Sequence, residues 1–322
     1  VSERLAGMNT FTTGLLGLGA TGAATLGYAA LIERNAFTLR RFTVPVLPVG
    51  AEPVTVLHLS DLHLMPSQHR KIAWVRALAR LRPDAVLNSG DNIAHPESIA
   101  PLMRAYEPFL DLPGAFVLGS NDYFAPGKRN PFNYLVGNRR PPTTPRLPTE
   151  ELVERFHAAG WADLTNARGR LAVRDLDIEL VGVDDPHLGY DRYEAVAGPA
   201  DPNADLKVGV THAPYTAILD RMSADGAELL IAGHTHGGQV AVPFYGALVT
   251  NCDLDTGRVK GVSRWWPGAS GAPSSDAPDA AAWMHVSAGL GTSPYAPVRF
   301  ACRPEATLLT LIERPRRAAD RP

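Results

Sequence analysis

Aspartate and histidine recur in this chain at one kind of place, just after a short apolar run. VTVLHLSDLH ends in Asp61 and His63, and DAVLNSGDN in Asp91. GAFVLGSND ends in Asn121 and Asp122, LKVGVTHAP carries His212, and ELLIAGHTHGG carries His234 and His236. Carboxylate oxygen and imidazole nitrogen are ligands for divalent and trivalent first-row metals. Asp-x-His and His-x-His put alternate side chains on one side of an extended backbone, so each pair can converge. A carboxylate such as Asp91 can bridge two cations, whereas a neutral imidazole cannot. Each fragment alone has an ordinary reading as a structural histidine or a turn aspartate. In this order, each behind a strand, they read as a metal site.

The apolar runs are the strands that position these residues, and IELVGVDD is a further one. Helical patterns lie between them. Residues 70–81 set Ile72, Trp74, Val75, Leu78 and Leu81 along one broad face. Thr149 before Glu150 and Glu151 is a helix start, and residues 214–224 form another helix candidate. Strand–helix alternation predicts an α/β architecture. Residues 36–51 read as a linker or first strand, with Val44 and Val46 alternating with prolines as on a sheet edge. The body, residues 52–313, is long enough for one large core. Residues 130–148 form a loose loop made basic by Lys128, Arg129, Arg139, Arg140 and Arg146. Residues 267–282 are low-complexity, and 314–322 read as a disordered tail.

The chain has 322 residues, 45% hydrophobic and 20% charged, with a net charge of −2. That composition is globular and lacks the basic excess of a nucleic-acid binder, so no nucleic-acid partner is expected. Cys252 and Cys302 have no CxxC spacing and cannot make a disulfide framework. Residues 11–32 carry no charge. As a helix they would reach roughly 33 Å, enough to cross a hydrocarbon core. Residues 1–35 therefore read as one N-terminal hydrophobic helix, a membrane anchor that makes the protein membrane-associated, with the side of the membrane open. A signal peptide and a buried helix of the soluble body are the competing readings.

On the fragments SDLH, GD, GSND, TH and GHTH, the chain resembles the calcineurin-like metallophosphoesterases. Their pattern is D-x-H, G-D, G-N-H-[DE], H and G-H-x-H, each behind a strand. GHTHGGQV, VGVDDPHLG and GLGTSPYAPVRFACRPE further resemble a bacterial membrane-linked branch. The resemblance covers residues 52–313. It implies the metallo-dependent phosphatase fold, a two-layer mixed β-sandwich flanked by helices. It also implies two metal ions, with Mn, Fe and Zn foremost. One would take Asp61, His63 and His236, the other Asn121, His212 and His234, with Asp91 between them. A metal-bridging hydroxide would then attack a phosphomonoester or phosphodiester. A membrane location raises the expectation of a lipid-linked or cell-envelope substrate.

The third motif departs from the pattern, because Ser120-Asn121 stands where the family has Asn-His. Without a gap, Ser120 is the ligand and Asn121 replaces the catalytic histidine. With a one-residue shift, Asn121 is the ligand and Asp122 stands beside the leaving group. The shift is preferred, since a serine hydroxyl is a poor neutral ligand. Either way the general acid is missing, a contribution of roughly 10²–10⁴-fold. Asp122, His95 and His187 are the candidate replacements. A preference for good leaving groups, or an attenuated metal- and phosphate-binding protein, are the other consequences. Asp184 and Asp185 either support the histidines or cap a turn. Gln239 is expected to fix its loop. Arg299 reads as a phosphate contact or a solvent-facing strand residue. Trp265, Trp266 and Tyr295 either line an apolar approach or pack.

Overall fold

Along VTVLHL nearly every side chain is buried, on both faces of the strand, so the strand needs cover on both sides. A computed structural model describes residues 2–127 and 144–315, with backbone alone for 2–13 and 15. In chain order the strands are β1 (Thr38–Leu47), β2 (Val54–Leu59), β3 (Ala85–Asn88), β4 (Gly114–Phe116), β5 (Ala162–Asp163), β6 (Arg168–Val173) and β7 (Leu176–Gly182). They continue as β8 (Leu206–Thr211), β9 (Leu229–Ala232), β10 (Ala241–Val242), β11 (Gly246–Ala247), β12 (Gly261–Trp265), β13 (Ala282–Val286) and β14 (Glu305–Glu313). The helices are α1 (Ser2–Gly27), α2 (His69–Ala77), α3 (Ile99–Tyr106), α4 (Ser120–Tyr123), α5 (Thr149–Ala158) and α6 (Thr216–Ala224).

Two six-stranded sheets result, in the orders β1-β14-β2-β3-β4-β5 and β12-β13-β9-β8-β7-β6. Their inner faces share one apolar core, with Val56, Leu87 and Ala115 against Ile178, Val208 and Ile231. The outer face of the first sheet, through Leu57, Val86 and Phe116, packs beneath Ile72, Leu102 and Phe156 of α2, α3 and α5. Ile218, Leu219 and Met222 of α6 cover Leu230 and Met284 on the second. The expected sandwich of mixed sheets flanked by helices is therefore the observed architecture. The helix expected over 70–81 appears as α2 followed by a 3-10 turn, Leu78–Leu81. β1 lies on a sheet edge, and its register against β14 slips at Pro45, where a proline costs no interior ladder bond.

β2 to β5 run parallel, as do β7, β8, β9 and β13. Parallel strands end on the same edge of a sheet, so the loops that follow them can meet. This placement gathers the aspartates and histidines.

The N-terminal segment corrects an expectation. It is helical over Ser2–Gly27. Yet among the described residues no helix is long and apolar enough to cross a membrane. Five glycines and four threonines within residues 11–32 dilute its leucines. Its foot, a π turn at Tyr28–Ile32, docks on the body through the buried Ala29, while Leu16, Leu18 and Leu26 stay exposed. Most of the basic loop and residues 316–322 lie outside the described residues. Arg146, within them, stacks its guanidinium over Phe124, 5.5 Å from the ring centre.

Candidate metal centre

The loop after β2 turns sharply at Asp61 and His63, and the loops after β3 and β9 do so at Asp91, His234 and His236. All five take positive φ, between 40° and 67°. Such backbone costs free energy in a non-glycine residue and persists where the surroundings enforce it, often at functional sites. Here it aims the side chains at one another. One ligand atom each from Asp61, His63, Asp91 and His236 lie within 4.8 Å of one another. His63 Nε2 is 3.1 Å from His236 Nε2 and 3.2 Å from Asp91 Oδ2. His236 Nε2 is 3.6 Å from Asp61 Oδ1. Beside this group, His212 Nε2 lies 3.5 Å from Asp91 Oδ2 and 3.3 Å from His234 Nδ1.

The far sides of the rings decide which nitrogen faces the cluster. His212 Nδ1 lies 2.7 Å from the Ser89 carbonyl, His234 Nε2 3.2 Å from that of Asn251, and His236 Nδ1 3.1 Å from that of Gly291. A carbonyl only accepts, so His212 Nδ1 carries a proton, whereas His234 Nε2 also meets the Asn251 amide at 3.3 Å and His236 Nδ1 the Arg299 guanidinium at 3.2 Å, both donors. A ring held neutral, as His234 is, can turn a lone pair toward the other ligands. Lone pairs and carboxylates facing one another repel unless a cation lies among them, and histidines oriented by carbonyls are the usual support of a metal site. The donor set therefore fits a metal. Burial, with neighbouring imidazoles, holds His234 and His236 well below the ordinary histidine range, and Arg299 adds to this at His236. Burial would lower His212 too, but Asp91, Asp185 and Asp61 outweigh it and raise it. Burial would raise Asp91, yet His212 and His63 hold it well below the carboxylate range. Asp61 is raised, chiefly by burial.

In the third motif, Asn121 sets its amide 3.0 Å from Asp91 Oδ2 and its backbone N–H 2.7 Å from Oδ1. Ser120 hydrogen-bonds Asp185 instead. Gly119 is needed for this approach, since a Cβ there would sit 2.4 Å from Asp91 Oδ1 and 2.7 Å from His212 Cε1. Asp122 corrects its expected place beside the leaving group. It is fully buried and accepts from the N–H groups of Asp91 (2.8 Å), Asn92 (2.8 Å) and Gly119 (3.0 Å). Its carboxylate clamps two motif loops together. His95 is corrected as well. Its Nδ1 accepts from Glu97 N–H and caps the turn Pro96–Ser98. Among the described residues no hydrogen bond links it to the cluster. His187 does lie there, its ring centre 4.6 Å from that of His234 and its Nδ1 3.0 Å from the Tyr215 hydroxyl.

Asp184 accepts from the Tyr123 hydroxyl at 2.8 Å, and Asp185 from His187 N–H at 2.9 Å. Gln239 holds the Ala296 carbonyl at 3.0 Å. Trp265 is fully buried and donates to Asp220 at 3.0 Å, a packing role, and Trp266 packs beside it.

Arg299 neither faces solvent nor points a free end outward. It is fully buried, and its guanidinium donates to the carbonyls of His236, Ala288, Gly289, Gly291 and Cys302. It thus ties the loop after β13 to the loop that carries His236. Lys71 is a second buried cation behind the ligands, donating to the Leu62 carbonyl between Asp61 and His63 at 2.6 Å. Burial, then Arg299 and Arg34, push it down to about 7. A lone arginine in PVRF and a lysine on an amphipathic helix carried no signal of either task.

The family model described as Calcineurin-like phosphoesterase matches residues 54–238. The chain is similar to the Uncharacterized metallophosphoesterase YkuE of Bacillus subtilis (strain 168), 25% identical over 317 residues that cover 94% of this chain and 96% of that one. It is also similar to the Phosphodiesterase YaeI of Escherichia coli (strain K12), 24% identical over 292 residues, covering 89% and 92%. Among solved structures, TT1561 of Thermus thermophilus overlays 74% of this chain and 91% of its own with 15% identity and a TM-score of 0.36, too loose a likeness to transfer anything.

Proposed function

We propose a function from one premise: the chain belongs to the calcineurin-like phosphoesterase family. It is a metallophosphoesterase, a hydrolase of phosphoric esters. The family binds two divalent metals, and the Asp/His cluster can hold a metal. In our reading Asp61, His63 and His236 hold one and Asn121, His212 and His234 the other. One observation carries it. Asp91 Oδ2 lies 3.2 Å from His63 Nε2, 3.5 Å from His212 Nε2 and 3.0 Å from the Asn121 amide, so a single carboxylate touches both ligand sets. Bound cations supply Lewis acidity for the ester and a lowered pKa for attacking water.

The chain's own residues determine which esters suit the site. With Asn121 read as a ligand, Asp122 held by backbone N–H groups and Ser120 bonded to Asp185, the third motif supplies no acid. Of the residues weighed as replacements, we assign His187, positioned by Tyr215, the hydrogen bond to the bound ester. Without a dedicated acid, esters with good leaving groups should react best. With Mn²⁺ the purified protein should cleave bis-p-nitrophenyl phosphate or p-nitrophenyl phosphate well and alkyl phosphates poorly. Asp91→Ala should abolish turnover and reduce bound metal. The altered third motif favours a second reading, a metal- and phosphate-binding protein with slow turnover. Wild-type protein that holds metal yet matches Asp91→Ala across a panel of esters selects that reading.

We also propose that α1 rests on a membrane surface without crossing it, bringing lipid-linked esters near the site. The exposed Leu16, Leu18 and Leu26 are the apolar side chains it would offer to lipid. Flotation with lipid vesicles should weaken when residues 1–26 are removed, and equal flotation of the two forms rejects it.

A further inference from the structure

Two histidines outside the ligand set meet between the sheets. His58 follows Val54 and Val56 on the inner face of β2, and His285 follows Trp283 on the inner face of β13. Both are fully buried beside a layer built of valine, leucine and isoleucine. Their Nδ1 atoms lie 3.1 Å apart. His58 Nε2 is 2.8 Å from Ser89 Oγ, Ser89 Oγ is 2.7 Å from Ser60 Oγ, and Ser60 Oγ bonds Asp61 Oδ2. Ser60 and Ser89 are themselves fully buried. A continuous line of hydrogen bonds therefore runs from the inter-sheet core to one member of the Asp/His cluster.

Its protons have one consistent order. A carboxylate only accepts, so the Ser60 hydroxyl points at Asp61. The Ser60 oxygen then accepts from Ser89, and the Ser89 oxygen accepts from His58 Nε2–H. His58 Nδ1 is left bare and accepts from His285 Nδ1–H. His285 Nε2 ends the line without a proton, and it is buried with no hydrogen-bond partner. An unpaired acceptor is milder there than an unpaired N–H, which the reverse order would strand. Every bond in the line points toward Asp61, and aligned hydrogen bonds polarise one another. Gly233 leaves room for the line. A Cβ there would sit 2.0 Å from Ser60 Oγ, 2.6 Å from Asp61 Oδ2 and 3.0 Å from Ser89 Oγ.

We propose that His285, His58, Ser89 and Ser60 form a directed hydrogen-bond relay that positions Asp61 as a metal ligand, with the two histidines as positioning residues. This rests on the reading of the cluster as a metal centre. Mn²⁺ titration of the wild-type protein, compared with Asp91→Ala, tests that reading by itself. The relay is tested by the ratio of variant to wild type and by a readout that needs no metal. In ¹⁵N-histidine spectra of metal-free protein, His285 should carry its proton on Nδ1 and His58 on Nε2. Ser60→Ala and, independently, Ser89→Ala should weaken Mn²⁺ binding by about 10-fold or more. His58 or His285 in the opposite tautomer overturns the relay. So does wild-type Mn²⁺ affinity in both serine variants.

Discussion

Asp122 and Arg299 are both ionisable and fully buried, and neither does what its motif suggested. The spelling GSND put Asp122 beside a leaving group, but its oxygens are taken by the N–H groups of Asp91, Asn92 and Gly119. Asp122→Ala should orphan those donors, each worth about 1–3 kcal/mol. We expect urea denaturation to show a loss of about 3 kcal/mol or more; a loss below about 1 kcal/mol would mean that water replaces the carboxylate. Arg299 acts by geometry, its planar fork spanning carbonyls from two loops. Lysine keeps the charge and loses the fork. Arg299→Lys should therefore lower Mn²⁺ affinity by about 10-fold, with Arg299→Met at least as weak, as read by equilibrium dialysis. If lysine restores full affinity, charge alone is what His236 needs. The ligand types were legible from the sequence because the Asp and His fragments recur in one order, each behind an apolar strand. The supporting groups were not, since a hydrogen bond to a distant backbone carbonyl leaves no local pattern.

Among the elements, the strands and their polar ends were readable from periodicity, as were the starts of α2 and α5. The pairing of β14 between β1 and β2 was not, because it joins residues more than two hundred positions apart. That return brings residues 299–302 against the foot of the N-terminal helix. Glu33 is buried there and accepts from Ala301 N–H at 3.1 Å and Cys302 N–H at 2.7 Å. Arg299 N–H donates to the Ala29 carbonyl at 3.2 Å, and Tyr28 meets Phe300 edge-on. The foot thus braces the segment whose Arg299 holds the His236 loop. Glu33→Ala should speed amide exchange at residues 299–302 and leave β3 protected. Unchanged exchange at 301 and 302 would show that the clamp contributes nothing to that segment.

At the scale of the whole molecule, the two sheets are joined by an apolar core, and at its edge His58 of one meets His285 of the other. A histidine in a strand named no partner on the opposite sheet, so this contact was illegible. Burial pushes His285 down to about 3, and burial with His285 holds His58 well below the ordinary value. Both are thus neutral in the folded protein, while the unfolded chain takes up their protons near pH 6.5. A folded pKa below the unfolded one means that the unfolded state binds more protons as pH falls. Stability is therefore full above about 6.5 and declines toward about 3. For His285 alone the decline between pH 7 and pH 5 is about 2 kcal/mol. Carboxylates also weaken the fold in acid, so the test is a difference. Urea unfolding of wild-type and His285→Phe protein, both in EDTA to exclude metal release, should show wild type losing that much more stability than the variant as pH drops from 7 to 5. Phenylalanine suits the site, since Phe42 already packs on the His285 ring at 5.7 Å. Parallel curves would mean that the pair takes up a proton without unfolding, and the join between the sheets would then tolerate charge.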